Sequence, residues 1–119
     1  IDKKGFVFMD SPGFDPCSVT GQIASGANLI VFTTGRGSVS GYMPTPCIKI
    51  ATNSEMYRRM ADDMDVNCGD IISEGVSLHD KGQEIFEMFI RIASGDRTKS
   101  EDLGFGGVEF VPWQIGAVM

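Results

Sequence analysis

The stretch Asn28-Leu29-Ile30-Val31-Phe32-Thr33-Thr34-Gly35-Arg36-Gly37-Ser38 indicates how this chain folds. An uninterrupted apolar run passes through two threonines into a loop that alternates glycine with polar side chains. Such a run, rich in Val, Ile and Phe, is typical of a strand buried on both faces of a parallel sheet, and we expect it to span residues 28–34. Because ligands of open α/β sheets bind where strands end at their carboxyl edge, the loop is the first candidate for a binding site.

A strand and a helix are predicted before this stretch. Residues 5–9 are apolar and read as a first strand, buried on both faces. Asp15 as the N-cap and Pro16 at the first helical position then begin a helix, which Gly26 ends. A strand, a helix and a strand joined by short links form a right-handed crossover, so we expect the first two strands to be parallel.

Further elements are predicted after the loop. The alternation in residues 47–51 indicates a third strand, and Thr52 with Glu55 forms a capping box for the next helix. Residues 70–72 are either a short strand or the beginning of a turn. Ser77 begins the clearest amphipathic helix, and Gly95 ends it.

The C-terminal quarter of the chain differs from the rest. We expect residues 96–101 to be charged and exposed. Residues 104–119 form a glycine-rich tail, and we expect it to pack on the body because its aromatic side chains need cover. Those aromatic side chains are Phe105, Phe110 and Trp113. The pattern as a whole predicts an α/β fold with a parallel sheet flanked by helices, in a single domain over 1–119 with a βα core at 1–95 and a tail at 96–119.

Composition restricts the classes of function. The 119 residues suffice for one core, and the net charge of −6 argues against a nucleic-acid partner, whose phosphates require a basic face. The apolar runs are far shorter than the ~20 residues of a membrane span. Because the chain opens on Ile1 without a leader, we expect a piece of a larger cytoplasmic enzyme. Cys17, Cys47 and Cys68 fit neither a zinc site nor a disulfide framework, so we expect them to be reduced.

The glycine loop carries the chemistry that suits an organic acid. Backbone N–H groups made accessible by glycine, with hydroxyls beside them, form a nest for an anion, and Arg36 adds a planar fork for carboxylate or phosphate. The alternative is a surface turn with a solvated arginine. A dinucleotide fingerprint is excluded because the glycine spacing is wrong and Pro44 stands near where the helix should begin. The candidate substrate-binding residues are Thr33, Thr34, Gly35, Arg36, Gly37 and Ser38.

Other polar residues are candidates for catalysis or metal binding. The oxygen-rich loop at residues 10–15 can hold a divalent cation or orient a sugar hydroxyl, which makes Asp10 and Asp15 the metal candidates. Lys49 alternates with isoleucines, so it points away from their face and can serve as a base, or is solvated if its strand is an edge. The acidic run 62–70 lacks the spacing of a calcium loop and is expected to be solvated or to cap helices. His79 is the sole histidine, which excludes a Ser-His-Asp triad within this chain.

Several blocks of the sequence resemble the altronate/galactarate dehydratase family. These blocks are residues 8–15, 26–38, 63–70, 93–95, 98–101 and 110–116. Together they cover essentially the entire chain, which is similar to the C-terminal end of that family's catalytic region. The form of residues 33–38 and the ending at 112–116 are more similar to the altronate branch, and sulfolactate sulfo-lyase large subunits look related.

The resemblance implies a lyase of sugar-acid catabolism. In such an enzyme a sugar acid loses water by β-elimination to give a 2-keto-3-deoxy acid. The resemblance also implies a divalent metal, iron(II), and a Rossmann-like parallel sheet. We further expect the full-length protein to be cytoplasmic and homo-oligomeric. On this basis Arg36 and its loop hold the substrate carboxylate, Lys49 assists, and Asp10 contacts metal or hydroxyl.

Two other interpretations stay open at the level of sequence. In the first, the chain is a non-catalytic scaffold or oligomerisation module, and the glycine loop is only a turn. In the second, the chain is part of a sulfolactate sulfo-lyase subunit. Even within an enzyme, we expect the isolated 119 residues to be inactive, because they carry too few acid and base groups.

Overall fold

The computed structural model describes residues 3–112, in which helices flank a parallel sheet. In chain order the elements are α1 (Asp15–Ala24), β1 (Ile30–Thr34), β2 (Cys47–Ala51), α2 (Ser54–Arg59), β3 (Val66–Asn67), α3 (Asp70–Ser73), α4 (Leu78–Ala93) and α5 (Lys99–Asp102). Within the described residues β2 lies between β1 and β3 and pairs with both in parallel. The predicted α/β class is therefore confirmed as a small three-stranded parallel sheet flanked by helices, while the Rossmann-like arrangement stays a prediction.

The core is built on β2, whose residues are buried throughout. On one face of the sheet, α4 covers β2 and β3 through a cluster formed by Ile48, Ile50, Val66 and Ile92. On the opposite face, α1 packs at the beginning of β1 and β2 through Val19, Ile30, Tyr42 and Cys47, and α2 packs at the end of β2 through Ala51, Met56 and Met64. The alternation of a strand thus directs successive β2 side chains into different clusters.

β1 is an edge strand within the described sheet, contrary to the prediction that it is buried on both faces. Val31 is 41% exposed and Thr33 is also exposed. The physical reason is that the cluster under α4 is formed by β2 and β3, so it leaves the corresponding face of β1 uncovered.

The predicted first strand is wrong. Residues 6–12 have no regular structure, and Phe6 and Phe8 are 99% and 83% exposed. Apolar composition favours a strand only where a neighbouring strand supplies hydrogen bonds and a packed face. Neither reaches these residues in the described part of the chain, and the strand–helix–strand unit is formed instead by β2, α2 and β3.

The helix boundaries agree with the sequence in part. Ser77 caps α4 as predicted, accepting a hydrogen bond from the Asp80 N–H at 3.0 Å, and Gly95 follows the helix at a φ of 113°. Gly26 follows α1 with a φ of 108°. At the beginning of α1, however, the N-cap is Phe14 and not Asp15, which is the first helical residue.

Three local predictions are corrected further along the chain. The N-cap of α2 is Asn53 and not Thr52. Residues 70–72 belong to the short helix α3. Residues 96–101 are not uniformly exposed, because Thr98 and Ser100 are buried and a capping box between Thr98 and Glu101 begins α5.

Two hydrogen bonds join residues 104–112 of the tail to the body. The Met43 N–H donates to the Gly106 carbonyl at 3.3 Å, and the Val111 N–H donates to Thr20 Oγ1 at 3.1 Å. Trp113 lies outside the described residues, so the packing of the complete tail stays a prediction. Across residues 3–112, the helices lack the combination of length and apolar character that crossing a bilayer requires.

Candidate functional site

The loop after β1 is held by its own hydrogen bonds. Thr34 Oγ1 accepts the backbone N–H groups of Arg36 at 3.3 Å and of Gly37 at 3.1 Å. The expectation that glycine leaves these amides open to an anion is therefore wrong for Arg36 and Gly37. The same bonds shape the loop before any ligand is bound, so its conformation does not have to be ordered by the ligand.

The beginning of α2 holds this loop from the side. Thr52 donates to the Thr34 carbonyl through its N–H at 3.0 Å and through its hydroxyl at 3.2 Å. Asn53 donates from Nδ2 to the Gly35 carbonyl at 2.9 Å. Because β1 and β2 are parallel, the residues after both strands lie at the same edge of the sheet, and these contacts join them there.

Glycine is required at position 37 for two reasons. Gly37 has a φ of 99°, a conformation that side chains with a Cβ rarely adopt, and a Cβ there would overlap the Met60 sulfur. Met60 packs against the Met56 cluster, so the loop rests directly on the helix side of the core.

Arg36 carries the cationic side chain of this loop. It is exposed, and within residues 3–112 its guanidinium makes no hydrogen bond or ion pair. Thr33 is exposed beside it, whereas Ser38 Oγ already accepts the Ser40 N–H at 3.2 Å. The loop thus presents a fixed backbone and a guanidinium whose donors are open to a ligand.

Two hollows of about 500 and 550 Å³ flank α1 rather than the glycine loop. One is lined by Val7, Phe8, Met9, Gln22, Ser25, Gly26 and Ala27, and the other by Thr20, Gly21, Ala24, Ser25, Phe110 and Pro112. Both linings are mainly apolar. Neither lining includes Arg36 or another residue of the glycine loop.

Lys49 is buried in the middle of β2, contrary to the alternative of a solvated edge lysine. It shares a face with Cys47 and Ala51, and its Nζ has no hydrogen-bond partner among residues 3–112. Burial lowers the pKa of the Lys49 amine, against the opposing effect of the Asp65 carboxylate. The structure therefore does not bring Lys49 and the exposed Arg36 side chain to a common surface.

Burial also shifts the pKa of the Cys47 thiol, which lies on the same face of β2 as Lys49. It raises the pKa of Cys47 to about 12, although the positive charge of Lys49 acts in the opposite direction. The thiol is consequently protonated at neutral pH. This agrees with the expectation of a reduced, structural cysteine.

Asp10 and Asp15 are exposed and are not joined to the glycine loop by hydrogen bonds or ion pairs in the described range. Residues 10–15 would follow a first strand at the same sheet edge as the glycine loop, but residues 6–12 form no strand. Asp15 lies close enough to Tyr42 to affect its titration. The pKa of Tyr42 is raised to about 12, chiefly by burial, then by Cys47, with a further contribution from Asp15.

Iron(II), which the family resemblance implies, stays a prediction. Residues 3–112 contain no group of three or more His, Cys, Asp or Glu side chains placed to hold a metal ion.

The acidic run 62–70 supplies structural carboxylates. Asp65 Oδ2 accepts the Lys49 N–H at 2.7 Å, and Asp65 Oδ1 accepts the Lys99 N–H at 2.9 Å, so one carboxylate joins β2 to α5. Asp70 pairs with the buried Lys81 at 2.7 Å. Residues 62–70 were expected to be solvated or to cap helices. Asp65 and Asp70 are not merely solvated, because both make these structural contacts.

The pair at Asp70 continues along α4. Lys81 Nζ also contacts Glu84 at 2.6 Å, and its side chain is 5% exposed. Burial lowers the pKa of Lys81, but hydrogen bonds to Asp70 and Glu84 outweigh this effect, so the pKa is raised overall. The lysine is therefore a charged crosslink between α3 and α4 at neutral pH.

Asn53 and Thr52 are the residues of this site that sequence reasoning missed. Both follow a predicted strand at the carboxyl edge, which is a signal that could have placed them beside the glycine loop. Asp65 carries no comparable signal, because its two backbone partners are distant in sequence.

Comparison with known proteins agrees with the sequence resemblance. The chain matches the family described as "D-galactarate/Altronate dehydratase, C-terminal" over residues 1–118. It is 37% identical over 100 residues to galactarate dehydratase (L-threo-forming) of Escherichia coli K12, covering 84% of this chain and 19% of that protein.

Two further relatives carry related names. Identity is 35% over 100 residues with (2R)-sulfolactate sulfo-lyase subunit beta of Chromohalobacter salexigens, covering 84% of this chain and 26% of the relative. Identity is 31% over 105 residues with altronate dehydratase of Bacillus subtilis strain 168, covering 88% of this chain and 21% of the relative. The chain thus spans about a fifth to a quarter of the length of these relatives. With a family match over almost its whole length, the chain belongs to the D-galactarate/altronate dehydratase family, C-terminal region.

Proposed function

We propose that this chain is the C-terminal part of a sugar-acid hydro-lyase that converts an aldonic or aldaric acid into a 2-keto-3-deoxy acid. Family membership and relatives named galactarate dehydratase and altronate dehydratase support the reaction class. Altronate is our first candidate substrate, on the form of residues 33–38 and 112–116, with galactarate next because identity to that dehydratase is 37%.

The observation that carries the proposal is the exposed guanidinium of Arg36, unpaired within residues 3–112, on a loop with its own hydrogen bonds. A guanidinium fork matches a carboxylate with two parallel hydrogen bonds. Because Thr34, Thr52 and Asn53 fix the backbone of the loop, little conformational entropy is lost when an acid binds.

The proposed reaction needs what this loop can supply. Removing the proton next to a carboxylate places negative charge on that carboxylate, and a positioned guanidinium stabilises the charge. A base must take the proton and an acid must assist the departing hydroxide. In this proposal Arg36 binds the carboxylate, and the exposed hydroxyl of Thr33 binds a neighbouring oxygen of the substrate.

Lys49 and Asp10 remain the candidate catalytic residues of the proposal. The lowered pKa of Lys49 favours the neutral amine that a base requires, while its burial means that the chain must open before the amine meets substrate. Asp10 is exposed and needs a rearrangement of the segment at residues 6–12 to approach Arg36. Because Arg36 lies on an open surface, we propose that another part of the protein forms the opposite wall of the site.

Calorimetric titration of the full-length protein tests this function. We expect altronate or galactarate to bind, and the same titration with and without added iron(II) shows whether affinity depends on that metal. Failure of both sugar acids to bind under either condition contradicts the proposal. Binding of sulfolactate in their place favours a sulfo-lyase subunit, as one relative's name suggests.

A scaffold or oligomerisation module is the second candidate, and one surface favours it. Leu78, Phe86 and Ile90 of α4 are 76%, 57% and 53% exposed, and none of them belongs to the cluster that α4 buries. Phe86 and Ile90 lie one helical turn apart, and large exposed apolar side chains placed side by side are typical of interaction surfaces. This candidate predicts a defined homo-oligomer that binds none of the three acids, which light scattering and the same titration distinguish.

A further inference from the structure

Asn53 lies between β2 and α2 and uses both ends of its side-chain amide. Oδ1 accepts the Met56 N–H at 2.8 Å and so caps α2. Nδ2 donates to the Gly35 carbonyl at 2.9 Å. Because the Met56 N–H can only meet an acceptor, the orientation of the amide is fixed, and the NH₂ group must face the loop.

The bond to Gly35 differs from the internal bonds of the loop. Thr34 Oγ1 accepts from Arg36 and Gly37, which shapes the turn internally. Asn53, in contrast, belongs to the end of a neighbouring strand and reaches the carbonyl that immediately precedes Arg36. Together with the two bonds from Thr52 to the Thr34 carbonyl, this bond sets where the turn stands relative to α2 and the sheet, and it is the one that holds the peptide next to Arg36.

We propose that Asn53 is a positioning residue for the candidate site. Its amide holds the Gly35 peptide, and through it Arg36, at the place where the guanidinium meets the substrate carboxylate. The inference rests on the proposed function, in which Arg36 binds that carboxylate. A contact made before the substrate arrives improves binding by fixing the geometry of the receptor in advance.

Two substitutions separate this role from the capping of α2. Asn53→Asp keeps an oxygen for the Met56 N–H, but it removes the donor and places a second oxygen against the Gly35 carbonyl. Asn53→Ser also keeps a capping oxygen and is too short to reach the loop. Asn28→Asp is the matched control, because Asn28 is exposed and precedes β1 at the opposite end of the strand.

The test measures steady-state kinetics of the full-length enzyme together with hydrogen exchange. We expect Asn53→Asp and Asn53→Ser to raise KM for altronate by about three- to tenfold, the range for loss of one hydrogen bond, with a smaller change in kcat. The amides of residues 35–38 exchange faster in both variants, while those of residues 57–59 keep their protection because α2 remains capped. Asn28→Asp leaves KM and exchange unchanged.

The possible results separate this inference from the proposed function. Unchanged KM in both Asn53 variants, with KM raised in Arg36→Ala, overturns the positioning role and leaves the proposed function standing. Unchanged hydrogen exchange at the amides of residues 35–38 also overturns the positioning role, whether or not KM changes. Unchanged KM in Arg36→Ala contradicts the proposed function itself, and with it the role of Asn53 in binding.

Discussion

The sulfur of Met60 rests against Gly37 where a Cβ atom on residue 37 would have to stand. Gly37 also has a φ of 99°, so both backbone conformation and space favour glycine at this position. The contact joins the loop that carries Arg36 to the methionine cluster under α2.

Gly37→Ala is therefore expected to lower the free energy of unfolding by about 1–3 kcal/mol, from backbone strain and overpacking together. Urea denaturation measures this change. In a protein that already carries Met60→Ala, the overpacking is relieved but the backbone strain remains. Gly37→Ala should therefore lower the free energy of unfolding by less in that variant than in the wild type.

Gly82→Ala is the matched control for this substitution. Gly82 lies within α4, and a Cβ there would meet no atom within 4 Å. Because alanine favours a helix over glycine by about 1 kcal/mol, this variant should be more stable than the wild type. An equal loss of stability in Gly37→Ala and Gly82→Ala would contradict the account of the loop.

Asp65→Asn tests the carboxylate that joins β2 to α5. Asparagine retains one acceptor oxygen, so either the Lys49 N–H or the Lys99 N–H must face an NH₂ group. Leaving a buried N–H without an acceptor should lower the free energy of unfolding by about 1–3 kcal/mol. Asp62→Asn, at an exposed position of the same run, makes the same chemical change and should have little effect. Equal urea midpoints for the two variants would rule out the structural role of Asp65.

Lys49→Met tests, by the pH dependence of stability, the burial of an amine that has no hydrogen-bond partner among residues 3–112. The pKa of Lys49 is lowered by burial from its ordinary 10.5, so between the two values the unfolded chain binds more protons than the folded chain. Protonation of Lys49 hence favours unfolding, and its cost to stability falls as the pH rises toward 10.5. We expect Lys49→Met to be more stable than the wild type at pH 7, with a smaller difference at pH 10. Urea titrations of both proteins at pH 7 and pH 10 measure this difference in stability. A difference that stays constant or grows toward pH 10 would contradict a lowered pKa of Lys49 in the folded chain.

Elements with a strong internal pattern could be predicted from the sequence. The alternation of residues 47–51 and the helical period after Ser77 were sufficient for β2 and α4, because each pattern matches a face that the fold buries. Residues 5–9 carry an equally apolar pattern and still form no strand. A strand depends on a partner that its own sequence does not specify.

The position of the glycine loop at the carboxyl edge of the sheet was predictable from the sequence, but its contacts were not. The loop after β1 follows from the rule that binding loops lie at the carboxyl edge of a parallel sheet. Two neighbouring residues, Thr52 and Asn53, can each cap α2, and the choice between them is tertiary. Thr52 donates its hydroxyl to the Thr34 carbonyl, which leaves Asn53 as the cap. In the same way, the amides expected to bind an anion are taken by the hydroxyl of Thr34, a contact that composition cannot reveal.

Steady-state kinetics of Arg36 variants in the full-length enzyme test the central claim most directly. We predict that Arg36→Ala lowers kcat/KM for altronate by about 10²–10³-fold, as expected when a donor to developing charge is removed. Arg36→Lys should recover only part of this loss, because lysine keeps the charge without the planar fork. Arg58→Ala, at an exposed arginine of α2, should behave as the wild type. Near-normal kcat and KM in Arg36→Ala would contradict the assignment of this loop as the receptor for the substrate carboxylate.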